Sequence, residues 1–243
     1  MSRLLLISNS TGHGKGYLDH VETELQEFVG KRSKIVFVPL ALFDRHRYTV
    51  QAATRLNRMG FEVTSVHDVS NPQRAVREAE AIFVGGGNTF RLLKGLYDWN
   101  LVDSIQQAVA AGIPYIGSSA GAIVACPSLR TTKDMPVVQP PSFDALRLVN
   151  FQISPHYLDP DPASTHMGET QEERINQFLE ENDAPVVGLR EGSFLRVEPN
   201  AIHLRGPHSA RIFRRGSQPL EAPPEMDLFS LLAESESVQG RAA

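Results

Sequence analysis

The 243-residue chain is 41% hydrophobic and 21% charged, the composition of a folded protein with room for one large α/β domain or two small ones. A net charge of −4 offers no polybasic surface for nucleic acid or an anionic membrane, and the single cysteine, Cys126, excludes an intramolecular disulfide framework. No apolar run approaches the roughly 20 residues that span a bilayer and no signal-peptide pattern opens the chain, so the expected setting is cytoplasmic.

Residues 3–8 form a continuous apolar run, as expected for a strand covered on both faces. Leu18, Val21, Leu25 and Phe28 follow at helical spacing, then a second buried strand over 34–39. Val50, Ala53, Leu56 and Met59 mark a helix closed by Gly60, and 61–66 alternates as a third strand. Asn71-Pro72 reads as an N-cap with proline at the first helical position, opening a short helix to Glu80.

The fourth strand, 81–84, runs straight into Gly85-Gly86-Gly87-Asn88-Thr89-Phe90. Three glycines between a strand and a helix free the backbone to aim N–H groups at a ligand. The segment reads as a tight turn, a phosphate cradle or half of an oxyanion hole, and it lacks the lysine of a Walker motif. Asn88 is placed to cap the helix that carries Phe90, Leu92, Leu93 and Leu96, and a further helix carries Leu101, Val102, Ile105 and Val109.

Ile113 to Ala122 then reads as a buried strand turning abruptly into a helix. Gly117 and Gly121 bracket Ser119 in the spacing G-x-S-x-G, a nucleophile elbow. The corner strains the backbone at Ser119, and Ala120 and Gly121 open the helix with unpaired N–H groups beside its hydroxyl. An oxyanion held by Gly87 and Ala120 N–H follows from placing the two turns side by side.

Past a loop containing Arg130 to Pro136 and Pro140-Pro141, a strand over 151–154 ends at Pro155-His156-Tyr157. His156 stands at a strand's carboxyl end, as a base or as a capping surface histidine. A metal reading of His156, Asp159 and Asp161 lacks a second histidine at ligand spacing, so no metal is expected. Residues 169–182 form an amphipathic helix, and 186–189 a buried strand followed at once by Arg190-Glu191-Gly192. Glu191 is placed either to orient a histidine or to pair with Arg190. Residues 194–197, 201–204 and 211–214 read as an antiparallel meander, and 216–243, rich in Pro, Glu and Ser, as a loosely attached tail after a single domain over 1–215.

Strands alternating with helices predict a mostly parallel sheet with ligands at its carboxyl ends. Together, Ser8-Asn9-Ser10, Val84 to Phe90, Gly117 to Ala122, Thr131 to Pro136, Pro155-His156 and Gly168-Glu169-Thr170 resemble the peptidase E, or α-aspartyl dipeptidase, family of serine peptidases, from about residue 3 to 214. The resemblance implies a flavodoxin-like three-layer α/β fold, related to class I glutamine amidotransferases, with a short antiparallel C-terminal extension. It implies Ser119 as nucleophile, His156 as general base and then acid, and no cofactor. Either Glu191 or Asp134 completes the charge relay, Glu191 being favoured because it follows a buried strand directly.

The implied substrates are dipeptides with an N-terminal aspartate, handled by a monomer or homodimer. Asn88, Thr89, Gln171 and Arg174 are candidate substrate contacts. Where family members commonly read Gly-Glu-Thr-Arg this chain has Gln171, and Ser118 replaces a bulkier residue. Both departures leave open an altered acidic specificity, β-aspartyl or cyanophycinase-like. The remaining alternative is a non-catalytic domain that binds a small acidic ligand.

Overall fold

A computed structural model describes residues 2–165 and 167–233. Five parallel strands form the centre: β1 (Leu4–Ile7), β2 (Lys34–Val38), β3 (Glu62–Ser65), β4 (Ala81–Val84) and β5 (Tyr115–Ser118). Each is four or five residues long, and most of their side chains are buried because both faces of the sheet are covered. Leu5, Ile7, Phe37, Phe83 and Ile116 pack against α1 (Glu22–Val29) and α2 (Arg45–Arg58). Leu4, Leu6, Ile82 and Val84 point the other way, toward α3 (Pro72–Arg77), α4 (Thr89–Asp98), α5 (Val102–Ala110) and α6 (Ala120–Val124).

At α2, α3 and α4 a side-chain cap supplies a missing acceptor. Asn71 Oδ1 accepts from Arg74 N–H at 2.8 Å and Asn88 Oδ1 from Arg91 N–H at 3.0 Å, as the sequence leads one to expect. At α7 (Gln171–Glu181), Thr170 and Glu173 bond reciprocally in a capping box.

The sheet order is β3-β2-β4-β5-β1, extended by β8 (Phe194–Glu198) and β9 (Ala201–Arg205), which run antiparallel. Its first four places repeat the flavodoxin order, but β1 occupies the fifth. The chain moves outward from β1 to β2 and β3, then returns to fill the gap with β4 and β5. Val84 consequently pairs with Gly117, so the glycine turn and the elbow leave the sheet side by side.

A second sheet of four strands has the order β11-β10-β7-β6, with β6 (Gln152–Pro155) and β7 (Val186–Leu189) parallel. Its other members are β10 (Ala210–Phe213) and β11 (Leu220–Ala222). One face joins the main core through Ile153, Val187, Leu189 and Ile212, and Val186 and Phe213 meet Ile175 and Leu179 of α7 on the other. The expected three-strand meander is therefore corrected. Of the three expected strands, β8 and β9 form a hairpin, and β10 leaves to pair with β7.

Within the tail expected over 216–243, residues 216–233 are packed on the domain. β11 pairs with β10, and Leu228 and Leu232, the latter in α8 (Phe229–Ala233), have no exposed surface. Burying those two leucines outweighs the polar composition around them. Residues 234–243 lie outside the described part. Leu228→Ala should cost roughly 2–5 kcal/mol of stability by opening a cavity, read as a lowered urea midpoint at unchanged slope. A midpoint equal to that of the wild type would show that the segment is not integral to the core.

Candidate active site

Ser119 sits at the corner between β5 and α6 with φ 52° and ψ −111°, a conformation that side chains rarely adopt. Two bonds latch the corner: Ser119 N–H donates to Ile7 O at 2.9 Å, and the buried Tyr115 hydroxyl donates to Gly121 O at 2.7 Å. Gly121 is required by close approach, since a Cβ there would lie 2.1 Å from Val84 O. On the neighbouring turn Gly87 has φ +133°, and a Cβ on Gly86 would lie 3.1 Å from Ser119 Cβ. Ala120 begins α6, so its N–H has no intrahelical acceptor.

His156, at the end of β6, also has a positive φ, 52°. Its Nε2 lies 2.9 Å from Ser119 Oγ, and its Nδ1 lies 2.6 Å from Glu191 Oε1. Glu191 follows β7, and the turn carrying it is held by Gly192 N–H donating to Asn9 Oδ1 at 2.7 Å. Ser8, fully buried at the end of β1, accepts from His156 N–H at 2.9 Å and donates to Leu189 O at 2.8 Å.

The other candidate carboxylate stands elsewhere. Asp134 Oδ2 accepts from Thr89 N–H at 2.7 Å and from Thr89 Oγ1 at 2.6 Å, so it caps the start of α4. The Asn88 amide donates to Met135 O at 2.9 Å as well as capping Arg91. Thr89 is fully buried. The side chains of Asn88 and Thr89, expected to contact substrate, bond within the protein and fix the glycine turn.

Gln171 and Arg174 are brought near the histidine loop rather than into the serine cleft. Gln171 accepts from Leu158 N–H at 3.1 Å and donates to His156 O at 3.2 Å. Arg174 pairs with Glu169 at 3.5 Å. Sequence reasoning missed Lys133, whose ammonium donates to Pro155 O at 2.9 Å and His156 O at 3.0 Å. Burial draws its pKa down to about 8. No local spacing marks a lysine that bonds to main-chain carbonyls more than twenty residues away.

Ser119 and His156 open on a cleft of about 270 Å3, walled by Asn9, Tyr17, Leu42, Tyr48 and Gly87. The two tyrosine hydroxyls lie 3.5 Å apart, and burial raises both phenol pKa values, leaving an uncharged wall. A larger hollow of about 640 Å3 near Leu4, Pro127 and Asn200 holds none of these residues. The residues of the metal reading are otherwise engaged, Asp159 by Arg190 at 2.7 and 2.9 Å and Asp161 by Ala163 N–H at 2.9 Å. Among the described residues no group of three His, Cys, Asp or Glu could hold a metal ion.

A hydroxyl, an imidazole and a carboxylate in hydrogen-bonded series at a strand-to-helix corner define a site of the serine hydrolase class. The model of peptidase family S51 matches residues 4–205, and the chain belongs to that family. It is 54% identical to Peptidase E of Streptomyces coelicolor over 94% of each chain. It is 46% identical to a Drosophila melanogaster protein described as a probable alpha-aspartyl dipeptidase, over 94% of this chain and 97% of that one. The solved structure of a peptidase from an acI-B1 actinobacterium shares the fold, with TM-score 0.69 and 16% identity over 93% of this chain and 96% of that one. No helix among the described residues is long and apolar enough to cross a membrane.

The loop after His156 is tied down by the Arg190–Asp159 pair, and Arg190 holds the Asp159 carboxyl below its ordinary value. A lowered folded pKa stabilises the protein fully above the ordinary carboxylate range, and that contribution disappears as pH falls through the lowered value. Arg190→Met should therefore move the midpoint of acid unfolding to higher pH. An unchanged midpoint would show that the pair does not couple to folding.

Proposed function

We propose that the protein is a serine dipeptidase that hydrolyses Asp-Xaa dipeptides through an acyl-enzyme on Ser119. One observation carries the reading: the series Ser119 Oγ, His156 Nε2 and Nδ1, Glu191 Oε1, with separations of 2.9 and 2.6 Å. A serine hydroxyl is a weak nucleophile at neutral pH unless a base takes its proton during attack. His156 Nε2 accepts that proton as Oγ bonds to the scissile carbonyl carbon, while Glu191 holds Nδ1–H and the tautomer that leaves Nε2 free. Gly87 and Ala120 N–H stabilise the oxyanion, each donor contributing roughly 3–4 kcal/mol.

The imidazolium then protonates the departing amine as the C–N bond breaks. Water, deprotonated by the same nitrogen, attacks the acyl carbon and releases the acid and the serine. Asp134 acts through Thr89 as a positioning residue for the glycine turn. A cleft of about 270 Å3 suits a dipeptide better than a long chain, and the names of the relatives support an N-terminal aspartate. A reducing, cytoplasmic setting suits Cys126, a buried free thiol.

The test is hydrolysis of Asp-Leu, Glu-Leu, β-Asp-Leu, Asn-Leu and Ala-Leu by wild type and Ser119→Ala. Asp-Leu should be cleaved fastest, and the substitution should lower kcat/KM by roughly 10⁴-fold or more. Retained activity in Ser119→Ala would sink the mechanism, whereas serine-dependent cleavage of β-Asp-Leu instead would keep it and move the substrate. In the same assay Glu191→Gln should lower kcat on the order of 10³-fold by favouring the wrong tautomer. Asp134→Gln with an equal loss would make the two carboxylates indistinguishable and contradict the assignment.

A further inference from the structure

The peptide planes on either side of His156 are both gripped by side chains. On the amino side, Ser8 Oγ accepts its N–H. On the carboxyl side, Lys133 Nζ and Gln171 Nε2 both donate to its carbonyl, at 3.0 and 3.2 Å, and Lys133 also reaches Pro155 O at 2.9 Å. A non-glycine residue at φ 52° is strained, and relaxing it would rotate that carbonyl and swing the imidazole away from Ser119. Bonds from an ammonium are charge-assisted and stronger than those from an amide.

Lys133 also belongs to a segment anchored at both ends. Thr131 Oγ1 donates to Ile153 O at 2.9 Å, fixing the segment to β6. Asp134 holds Thr89, and Asn88 holds Met135 O, fixing it to the glycine turn. Residues 131–135 thus bridge the turn bearing Gly87 and the turn bearing His156, with Lys133 at the histidine end.

We propose that Lys133 is a positioning residue whose ammonium holds His156 in its left-handed conformation, aimed at Ser119. The inference rests on the serine-peptidase reading above. Its charge matters as well as its donors, because a neutral amine keeps two N–H groups and loses the charge that strengthens them. The ammonium is desolvated, which draws its pKa down to about 8. Asp134 beside it and Glu191 after β7 favour its charged form, and Arg174 on α7 opposes it. Arg130 and Gln171 line the same small pocket.

The experiment is steady-state hydrolysis of Asp-Leu across pH 6–10 by wild type, Lys133→Met, Lys133→Arg and Ser119→Ala, each with its unfolding midpoint. Lys133→Met should lose about 10- to 100-fold in kcat with KM within about twofold and an unfolding midpoint close to wild type, as misplacing a catalytic group costs. Lys133→Arg should recover most of that loss, since it restores the charge. The wild-type kcat should fall as pH rises through about 8, and Lys133→Arg, which stays charged, should hold its kcat to higher pH.

A wild-type kcat in Lys133→Met would overturn the proposal. So would a loss confined to KM, the mark of a cation that binds the substrate's own carboxylate, or pH profiles that coincide for wild type and Lys133→Arg. The pH comparison stands even where the methionine variant does not fold. Ser119→Ala separates the two levels. If it is active the serine reading fails, and if it is inactive while Lys133→Met is unimpaired, only the role of Lys133 fails.

Discussion

The hydrogen bond between His156 Nε2 and Ser119 Oγ joins two sheets that share no ladder. Ser119 follows β5 in the seven-stranded sheet, whereas His156 and Glu191 follow β6 and β7 in the four-stranded one. A shift of an ångström between the sheets would open the 2.9 Å contact on which the proposed proton transfer depends. The carboxyl ends of the strands are stitched together by the residues that follow β1: Ser8 Oγ to His156 and Leu189, Ser8 N–H to Ser193 O at 3.1 Å, and Asn9 to Gly192. Below the stitching, one apolar core runs through both sheets from Leu4 to Leu232.

Two of the non-glycine residues with positive φ are the hydroxyl and imidazole partners of this contact. Ser119 and His156 both hold positive φ, each at a cost comparable to one to three ordinary hydrogen bonds at about 1 kcal/mol apiece. Each is compensated locally. At Ser119 the bonds come from Ile7 and, through Gly121, from Tyr115. At His156 they come from Ser8, Lys133 and Gln171. The glycine turn is held from the same loop as His156, because Asp134 and Lys133 are adjacent in the chain and bond in opposite directions.

Much of this was legible from sequence because the signals are local. Short apolar runs marked β1, β2, β4, β5 and β7, and asparagines marked two helix starts. Ser119 was marked by the spacing of Gly117 and Gly121, and Glu191 by its place after a buried strand. Membership of the second sheet was not legible, because pairing β10 with β7 is a long-range choice that alternation does not encode. The Pro, Glu and Ser content of the C-terminal segment hid Leu228 and Leu232, two residues that outweigh their neighbours energetically. Gln171 was noticed as a departure, but its contact with the His156 carbonyl depends on the path of the intervening loop. Asp134 follows no strand end that would mark its partner, and its bonds to Thr89 depend on the path of a long loop.

The most direct measurement is intact-mass and peptide mapping of the protein after reaction with a fluorophosphonate, with residual Asp-Leu hydrolysis followed in parallel. The account predicts one adduct per chain, on Ser119, accumulating in step with the loss of activity. It also predicts slowed labelling in His156→Ala, because the same base activates Oγ toward phosphorus and toward a carbonyl. Complete inactivation with Ser119 unmodified, or an adduct at Ser119 that leaves hydrolysis intact, would contradict it.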